Sequence, residues 1–219
     1  MIKYTAIVPI KKFSKGLKNK NFKLLNGIPL YKYTINSALK SKIDKILITS
    51  DKDFTSIYKN ERIIFDSRPE YLLKDNVDNL KVVSYILKKY KFIDNFVLLQ
   101  PTSPLRTFKD INNSIEIFEK RKLKSLVSVT MVKNYPFIFN SKNDYQLIIN
   151  KTFNSTNRQN YKTKAYTVNG AIYISNSNYF LKQKSFFIKN DTGYYLMPFN
   201  RSIDIDYKDD FDLVKKIIV

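Results

Sequence analysis

Thr5-Ala6-Ile7-Val8-Pro9-Ile10 is an unbroken apolar run, and a polar, basic stretch follows it directly: Lys11-Lys12-Phe13-Ser14-Lys15-Gly16-Leu17-Lys18-Asn19-Lys20-Asn21. The run has the length and continuity of a strand buried on both faces. Further along, Leu30 to Leu39 has helical spacing, Lys45 to Ser50 reads as a second strand and Glu61 to Phe65 as a third. Asn79 to Tyr90 sets Leu80, Val83, Ile86 and Leu87 on one helical face. Asn95 to Gln100 is another buried strand. Asp110 to Arg121 is a helix with Ile111, Ile115 and Phe118 on one side, and Ser125 to Val132 a strand. Gly170 to Ser175 returns to a core strand. Tyr194 to Pro198 and Ser202 to Asp206 read as strands or strand ends. Lys208 to Val219 closes the chain as a helix that turns Phe211, Val214 and Ile218 inward, with Asp209 and Asp210 favourable in its first turn. Strands alternating with helices predict an α/β fold, a mostly parallel sheet with helices on both faces. Ligands of such folds bind beyond the carboxyl ends of the strands.

Lys133 to Lys164 breaks the pattern. It is polar and aromatic, with short strand-like pieces (FIFN, YQLII), and reads as an excursion from the sheet, a hairpin or a dimer arm. No internal repeat, low-complexity segment or linker interrupts the 219 residues, so one domain over 1–219 is expected, with the arm at about 133–165.

Composition narrows the chemistry. The chain has no Cys, His or Trp. Disulfides, thiolate zinc sites, Cys nucleophiles and Ser-His-Asp triads are therefore excluded. A metal would rest mostly on oxygen ligands, which points to magnesium or manganese. The net charge is +20, with 39 Lys and Arg against 19 Asp and Glu. The Lys are dispersed rather than clustered on one face, which argues against a nucleic-acid-binding module. Against that background the rare Arg stand out, among them Arg68, Arg106 and Arg158. No apolar stretch is long enough for a signal-peptide core or a membrane span, and a cytoplasmic protein is expected.

Three segments carry chemistry. The basic loop after the first strand sits where α/β folds cradle phosphates with backbone N–H groups, a hydroxyl and ammonium groups, although it lacks the P-loop spacing. In Ser202-Ile203-Asp204-Ile205-Asp206, a strand would send Asp204 and Asp206 to one face and both Ile to the core. Two carboxylates roughly 7 Å apart can converge on one hard cation; the plainer reading is a pair of exposed carboxylates on a Lys-rich surface. Gln100-Pro101-Thr102-Ser103-Pro104-Leu105-Arg106 makes a rigid turn at a strand's carboxyl end, facing the expected ligand crevice.

Taken in order, these pieces resemble the acylneuraminate cytidylyltransferases and their bacterial relatives acting on other nonulosonic acids. The resemblance spans nearly the whole chain. It rests on S-K-G at 14–16 with Lys20-Asn21, N-G-x-P-L at 26–30, R-P at 68–69, L-L-Q-P-T-S-P-L-R at 98–106, N-G-A-I-Y-I at 169–174 and S-I-D-I-D at 202–206. Lys20-Asn21, where related Kdo enzymes usually carry K-P, favours the sialic-acid branch.

The resemblance implies a nucleotide-diphospho-sugar transferase-like fold, usually a homodimer whose arm caps the partner's sugar site. It implies a reaction in which CTP and a 2-keto sugar acid give a CMP-sugar and pyrophosphate, with Mg2+ (Mn2+ as a second choice) as cofactor and neither membrane nor nucleic acid as partner. Carried over residue by residue, Lys11 (usually Arg), Ser14, Lys15 and Gly16 match the phosphate loop, and Lys20 and Asn21 the pair serving phosphate and nucleotide. Arg68 matches a contact near the cytosine nucleotide and Gln100 a sugar contact. Arg158, Asn169 and Tyr173 match positions near the sugar acid, Phe186 and Phe187 an aromatic pair lining its pocket, and Asp204 and Asp206 the metal ligands. Thr167 stands where many members carry Arg, and Asp78-Asn79 where Ser is common. Lys11, Lys15 and Lys20 are expected to stabilise the leaving pyrophosphate, with Asp204 at the reacting centre. The general base is either an Asp of the pair or a metal-bound hydroxide. Two alternatives remain beside this reading: another sugar nucleotidylyltransferase, and a relative that binds nucleotide without turning it over.

Overall fold

The computed structural model describes residues 3–12, 16–54, 58–74, 76–132, 137–139, 145–147 and 165–218. In chain order come β1 (Tyr4–Ile10), β2 (Leu24–Leu25), β3 (Ile28–Pro29), α1 (Leu30–Leu39), β4 (Lys45–Ser50), β5 (Ile63–Ser67), α2 (Asn79–Lys89), β6 (Asn95–Leu98), α3 (Phe108–Lys120), β7 (Ser125–Met131), β8 (Phe137–Phe139), β9 (Tyr145–Leu147), β10 (Tyr166–Asn176), α4 (Ser177–Gln183), β11 (Thr192–Leu196) and α5 (Lys208–Ile217).

Seven strands form the central sheet in the order β11-β7-β10-β6-β1-β4-β5. β1 pairs in parallel with β4 and β6, β4 with β5, and β7 with β11; β10 runs antiparallel to both its neighbours. The sheet is therefore mostly parallel, as the alternating pattern predicts. Every residue of β1 is buried, the consequence of lying mid-sheet with both faces covered.

The pleat sorts the core into two layers. Ala6, Val8 and Ile10 of β1 pack with Ile35 and Ala38 of α1 and with Ile111, Ile115 and Phe118 of α3. Ile7 points the other way, to Val83, Ile86 and Leu87 of α2 and Phe180 of α4. Each such buried aliphatic or aromatic side chain contributes about 1.5–3 kcal/mol. A third cluster joins Leu25, Leu30, Ile205 and Val214, with Phe211, Ile203 and Ile218 against it, so α5 docks beside β2 and β3. No helix among the described residues is long and apolar enough to cross a membrane.

Three local features depart from the sequence reading. Ser202 to Asp206 is not a strand: it pairs with no ladder, and its Ile205 N–H donates instead to the Thr102 carbonyl in the loop after β6 (2.8 Å). The inward-outward alternation survives, because it belongs to extended chain rather than to hydrogen-bonded sheet. Second, Asn26-Gly27 (φ 47° and 80°) turns the short β2–β3 hairpin, and the Asn26 amide donates to the carbonyls of Lys215 and Ile218 at the end of α5. Third, α4 begins where the Asn176 side chain caps the N–H groups of Asn178 and Tyr179.

The α3 N-terminus carries a capping box. The Thr107 hydroxyl accepts from the Asp110 N–H, and the Asp110 carboxylate accepts from the Thr107 N–H at 2.9 Å. That carboxylate is buried and also accepts from Arg201 (2.8 Å) and Tyr195 (3.0 Å). Burial alone would raise its pKa; the bonds from Arg201, Thr107 and Tyr195 outweigh burial and hold it below the ordinary value. Because the folded pKa is depressed, the stabilisation is full above the unfolded-state value of about 3.9 and is lost as pH falls toward the folded value. Asp110→Asn is expected to cost about 1.5–3 kcal/mol near neutral pH. In urea titrations the gap from the parent protein should stay constant down to about pH 5 and narrow below about pH 4; a gap independent of pH would mean that the ionised carboxylate contributes nothing.

Candidate functional site

The carboxyl ends of β1, β5 and β6 open onto one cleft of about 340 Å³. Its walls include Pro9 and Lys11 after β1, Lys20 and Asn21 from the basic loop, Arg68 after β5, Asp78 and Asn79 at the start of α2, Gln100 to Thr102 after β6, and Asp204 with Asp206. This is the crevice that a parallel sheet provides for ligands, and its size suits a small molecule.

The loop residues are placed by bonds that sequence spacing does not show. The Asn21 amide donates to the Lys11 carbonyl (2.9 Å), closing the basic loop on itself. Lys20 Nζ donates to the Ile205 carbonyl and to Asp206 Oδ1, both at 2.8 Å, so the loop is tied to the carboxylate segment. Gly16 lies where a Cβ would overlap the Asp206 backbone carbonyl, so glycine permits the close approach of loop and segment. Asp210 at the start of α5 accepts from the N–H groups of Asp206 (3.0 Å) and Tyr207 (2.9 Å), fixing the far end of the segment.

Asp204 sits deeper than Asp206. Its Oδ1 is buried without a hydrogen-bond partner, and burial raises its carboxyl above the ordinary value; Thr102 and the Lys20 charge work against that rise, and the Asp206 charge adds to it. Gly170, at φ +73°, leaves room beside the other oxygen: a Cβ there would stand 3.0 Å from Asp204 Oδ2 and 3.8 Å from Gln100 Nε2. Asn79 donates to Gln100 Oε1 (3.2 Å), orienting the Gln100 amide at the strand end. Asp78 caps α2 by accepting from the Lys81 N–H at 3.0 Å.

Of the scarce Arg, Arg68 lines the cleft and Arg106 braces the loop after β6. Arg68 is buried and donates to the Thr49 carbonyl (2.7 Å); burial draws its guanidinium down to about 10, with Asp51 and Asp66 pushing the other way. Arg106 is fully buried and ties three elements together. It donates to the carbonyls of Gln100 (3.2 Å) and Ala171 (2.7 Å) and to the Thr34 hydroxyl (2.7 Å). Burial likewise brings it to about 10, against the charges of Asp110 and Asp204. Both remain cationic at neutral pH.

Of the expected site residues, Lys11, Lys20, Asn21, Arg68, Gln100, Asp204 and Asp206 line this cleft together. Gly16 packs on its rim through Asp206. Tyr173 is near enough that the Asp204 charge, after burial, raises its hydroxyl pKa, and its ring packs 4.9 Å from Phe186. Phe186 is buried among Phe96, Phe180 and Tyr173 in the second core layer, Phe187 is exposed, and neither borders the cleft. Asn169 is buried and is not among the residues lining it. Ser14, Lys15 and Arg158 lie outside the described residues, as does most of the expected arm at 133–165. Leu72, Val77, Val82, Pro101 and Thr102 also line the cleft. Thr102 lies inside the Gln100–Arg106 turn and was within reach of the motif; the apolar residues carry no signal that separates wall from core.

An α/β sheet with a basic loop, buried Arg and paired carboxylates at its carboxyl edge has the groups to meet a phosphate-bearing ligand. A family model described as Cytidylyltransferase matches residues 5–216, and the chain belongs to that family. It is 33% identical over 216 residues to an N-acylneuraminate cytidylyltransferase of Escherichia coli O18:K1:H7. That match covers 96% of this chain and 51% of the relative, so the chain spans about half the length of that protein. It is 31% identical to a CMP-N,N'-diacetyllegionaminic acid synthase of Legionella pneumophila, covering 97% of this chain and 95% of that one. Among solved structures, a CMP:2-keto-3-deoxy-manno-octonic acid synthetase complexed with CTP superposes with a TM-score of 0.71 at 11% identity, over 99% of this chain and 98% of that chain. That likeness establishes the fold.

Proposed function

We propose that this chain activates a nonulosonic acid: it transfers the cytidylyl group of CTP to the anomeric hydroxyl of the sugar acid and releases pyrophosphate. The observation that carries this reading is the meeting of Asp204 and Asp206 with Lys11, Lys20 and Arg68 in one cleft at the sheet's carboxyl edge. The family and the near full-length likeness to the Legionella protein give it its substrate class.

The residues present fit a hard divalent cation, magnesium first. Asp204 offers a buried oxygen without a partner beside the space that Gly170 leaves open, and Asp206 stands on the same side of the segment. Two carboxylates alone would repel a triphosphate, and Asp204 and Asp206 would hold a cation that offsets that repulsion. When bound it would neutralise charge on the phosphates. Magnesium commonly takes only one or two carboxylates and completes its shell with substrate phosphates and water.

In the transfer, the anomeric oxygen forms a bond to the α-phosphorus while the bond from that phosphorus to the bridging oxygen of pyrophosphate breaks, and the hydroxyl proton passes to a base. Lys11 and Lys20 face the negative charge that develops on the leaving group. Arg68 and the capped start of α2 border the nucleotide, and Gln100 the sugar. An arm at 133–165 that reaches a partner subunit's site, the homodimer this requires and a single domain over 1–219 belong to the same proposal.

The test is pyrophosphate release with CTP and magnesium against N-acetylneuraminic, legionaminic, pseudaminic and Kdo acids. Release with one of the first three is expected. Release with Kdo alone would move the chain to the other branch, and CTP binding without release from any acid would favour a non-catalytic relative.

A further inference from the structure

Asn169 resembles a residue that contacts the sugar acid, yet its side chain is already spent. Its Oδ1 accepts from the Ser128 hydroxyl (2.6 Å) and from the Ala171 N–H (3.2 Å). Its Nδ2 donates to the Ser202 hydroxyl (2.9 Å) and contacts Met197 Sδ (3.4 Å). A carboxamide has two acceptor lone pairs and two donor hydrogens, so this set leaves nothing for a ligand. Asn169 is also buried, with 6% of its surface exposed.

The bonds have a pattern. The β7–β10 ladder loses register between Val168 and Tyr173, where β10 bulges around Gly170. The N–H groups of Ala171 and Ile172 in that bulge are taken up by Asn169 Oδ1 and by the Ser128 hydroxyl (2.8 Å). Across the gap lies Ser202, the first residue of a segment with no ladder of its own; its hydroxyl passes the chain on to the Pro198 carbonyl (2.8 Å). One amide therefore holds both sides of a close approach in the site, Gly170 on the bulge and the segment that carries Asp204.

We propose that Asn169 is a positioning residue: with Ser128 and Ser202 it clasps the Ser202–Asp206 segment to the β10 bulge and so sets where the Asp204 carboxylate stands. This rests on the proposed cytidylyl transfer for its kinetic consequence, though not for its structural one. A contact residue acts on substrate affinity, whereas a clasp acts on the geometry of the reacting centre, where a shift of about 1 Å costs on the order of 10²-fold.

The experiment compares Asn169→Ala, Ser202→Ala, Ser202→Thr and the Asn169→Ala/Ser202→Ala double variant, with steady-state kinetics and amide hydrogen exchange on each. Ser202→Ala and Asn169→Ala should each lower kcat by roughly 10-fold to 100-fold, with KM for the sugar acid within about twofold. The double variant should be little worse than the worse single one, as expected for partners in one bond. Ser202→Thr keeps the hydroxyl and should keep kcat. The Ile205 N–H, held by Thr102, should exchange at least about tenfold faster in both Ala variants. A raised sugar-acid KM in Asn169→Ala with Ser202→Ala silent would overturn the proposal, as would independent effects in the double variant or unchanged exchange at Ile205. If the parent protein turns over none of the acids, the activity reading fails by itself, and the exchange measurement still decides the clasp.

Discussion

Asp204→Asn should abolish pyrophosphate release while leaving the protein as stable as before. The substitution keeps the shape and removes the charge that a divalent cation and the phosphates would share, a loss on the order of 10³-fold in kcat. The effect on folding should be within about 1 kcal/mol and of either sign. In the free protein one oxygen of the Asp204 carboxylate is buried without a partner and burial raises its pKa, so its ionised form is held at a cost that Asn does not bear. Loss of activity together with an unchanged melting temperature would mark Asp204 as a residue kept for chemistry. A near-normal rate at saturating magnesium would sink the metal assignment, and a large drop in melting temperature would show that the carboxylate serves the fold.

Gly16→Ala should be nearly as damaging to catalysis by an opposite route, by adding one methyl group. The new Cβ would collide with the backbone carbonyl of Asp206, and backbone cannot swing aside as a side chain can. Either the basic loop lifts or the segment bearing both carboxylates retreats, and both break the alignment of Lys20 with Asp206. A fall of at least about 10²-fold in kcat/KM is expected. Gly16 is exposed, so the stability cost should remain at about 1–3 kcal/mol. Full activity in this variant would show that the loop leaves Asp206 during the reaction.

Much of this was legible because periodicity is strong where burial is complete. β1, β4 and β6 are built on continuous apolar stretches (6–10, 46–48 and 96–99), and α2 and α3 place their inward residues where the 3.6 period sets them. The misreading of Ser202 to Asp206 has a physical source: alternation reports an extended backbone, whereas a strand also needs a neighbour, and only the tertiary fold supplies Thr102 in place of a ladder. The β2–β3 hairpin escaped notice despite Asn26-Gly27 because its arms are two residues each, too short for any period. At the site, Lys20, Asn21, Arg68, Gln100, Asp204 and Asp206 could be found from motifs, since ligand-facing residues cluster at strand ends. The inward turn of Phe186 and the spent amide of Asn169 could not, because a buried aromatic and a pocket aromatic look alike in sequence, as do a bonded amide and a free one.

The β7–β10 pair runs outward to Met131 opposite Tyr166, and beyond it the Val132 N–H still donates to the Ala165 carbonyl at 2.9 Å. The 32 residues from 133 to 164 thus leave and rejoin the sheet at a single rung. Loop length enters stability only logarithmically once such ends are fixed. A change in the length of this segment should therefore cost the rest of the fold little, because the rung, not the segment, holds the two strands in register.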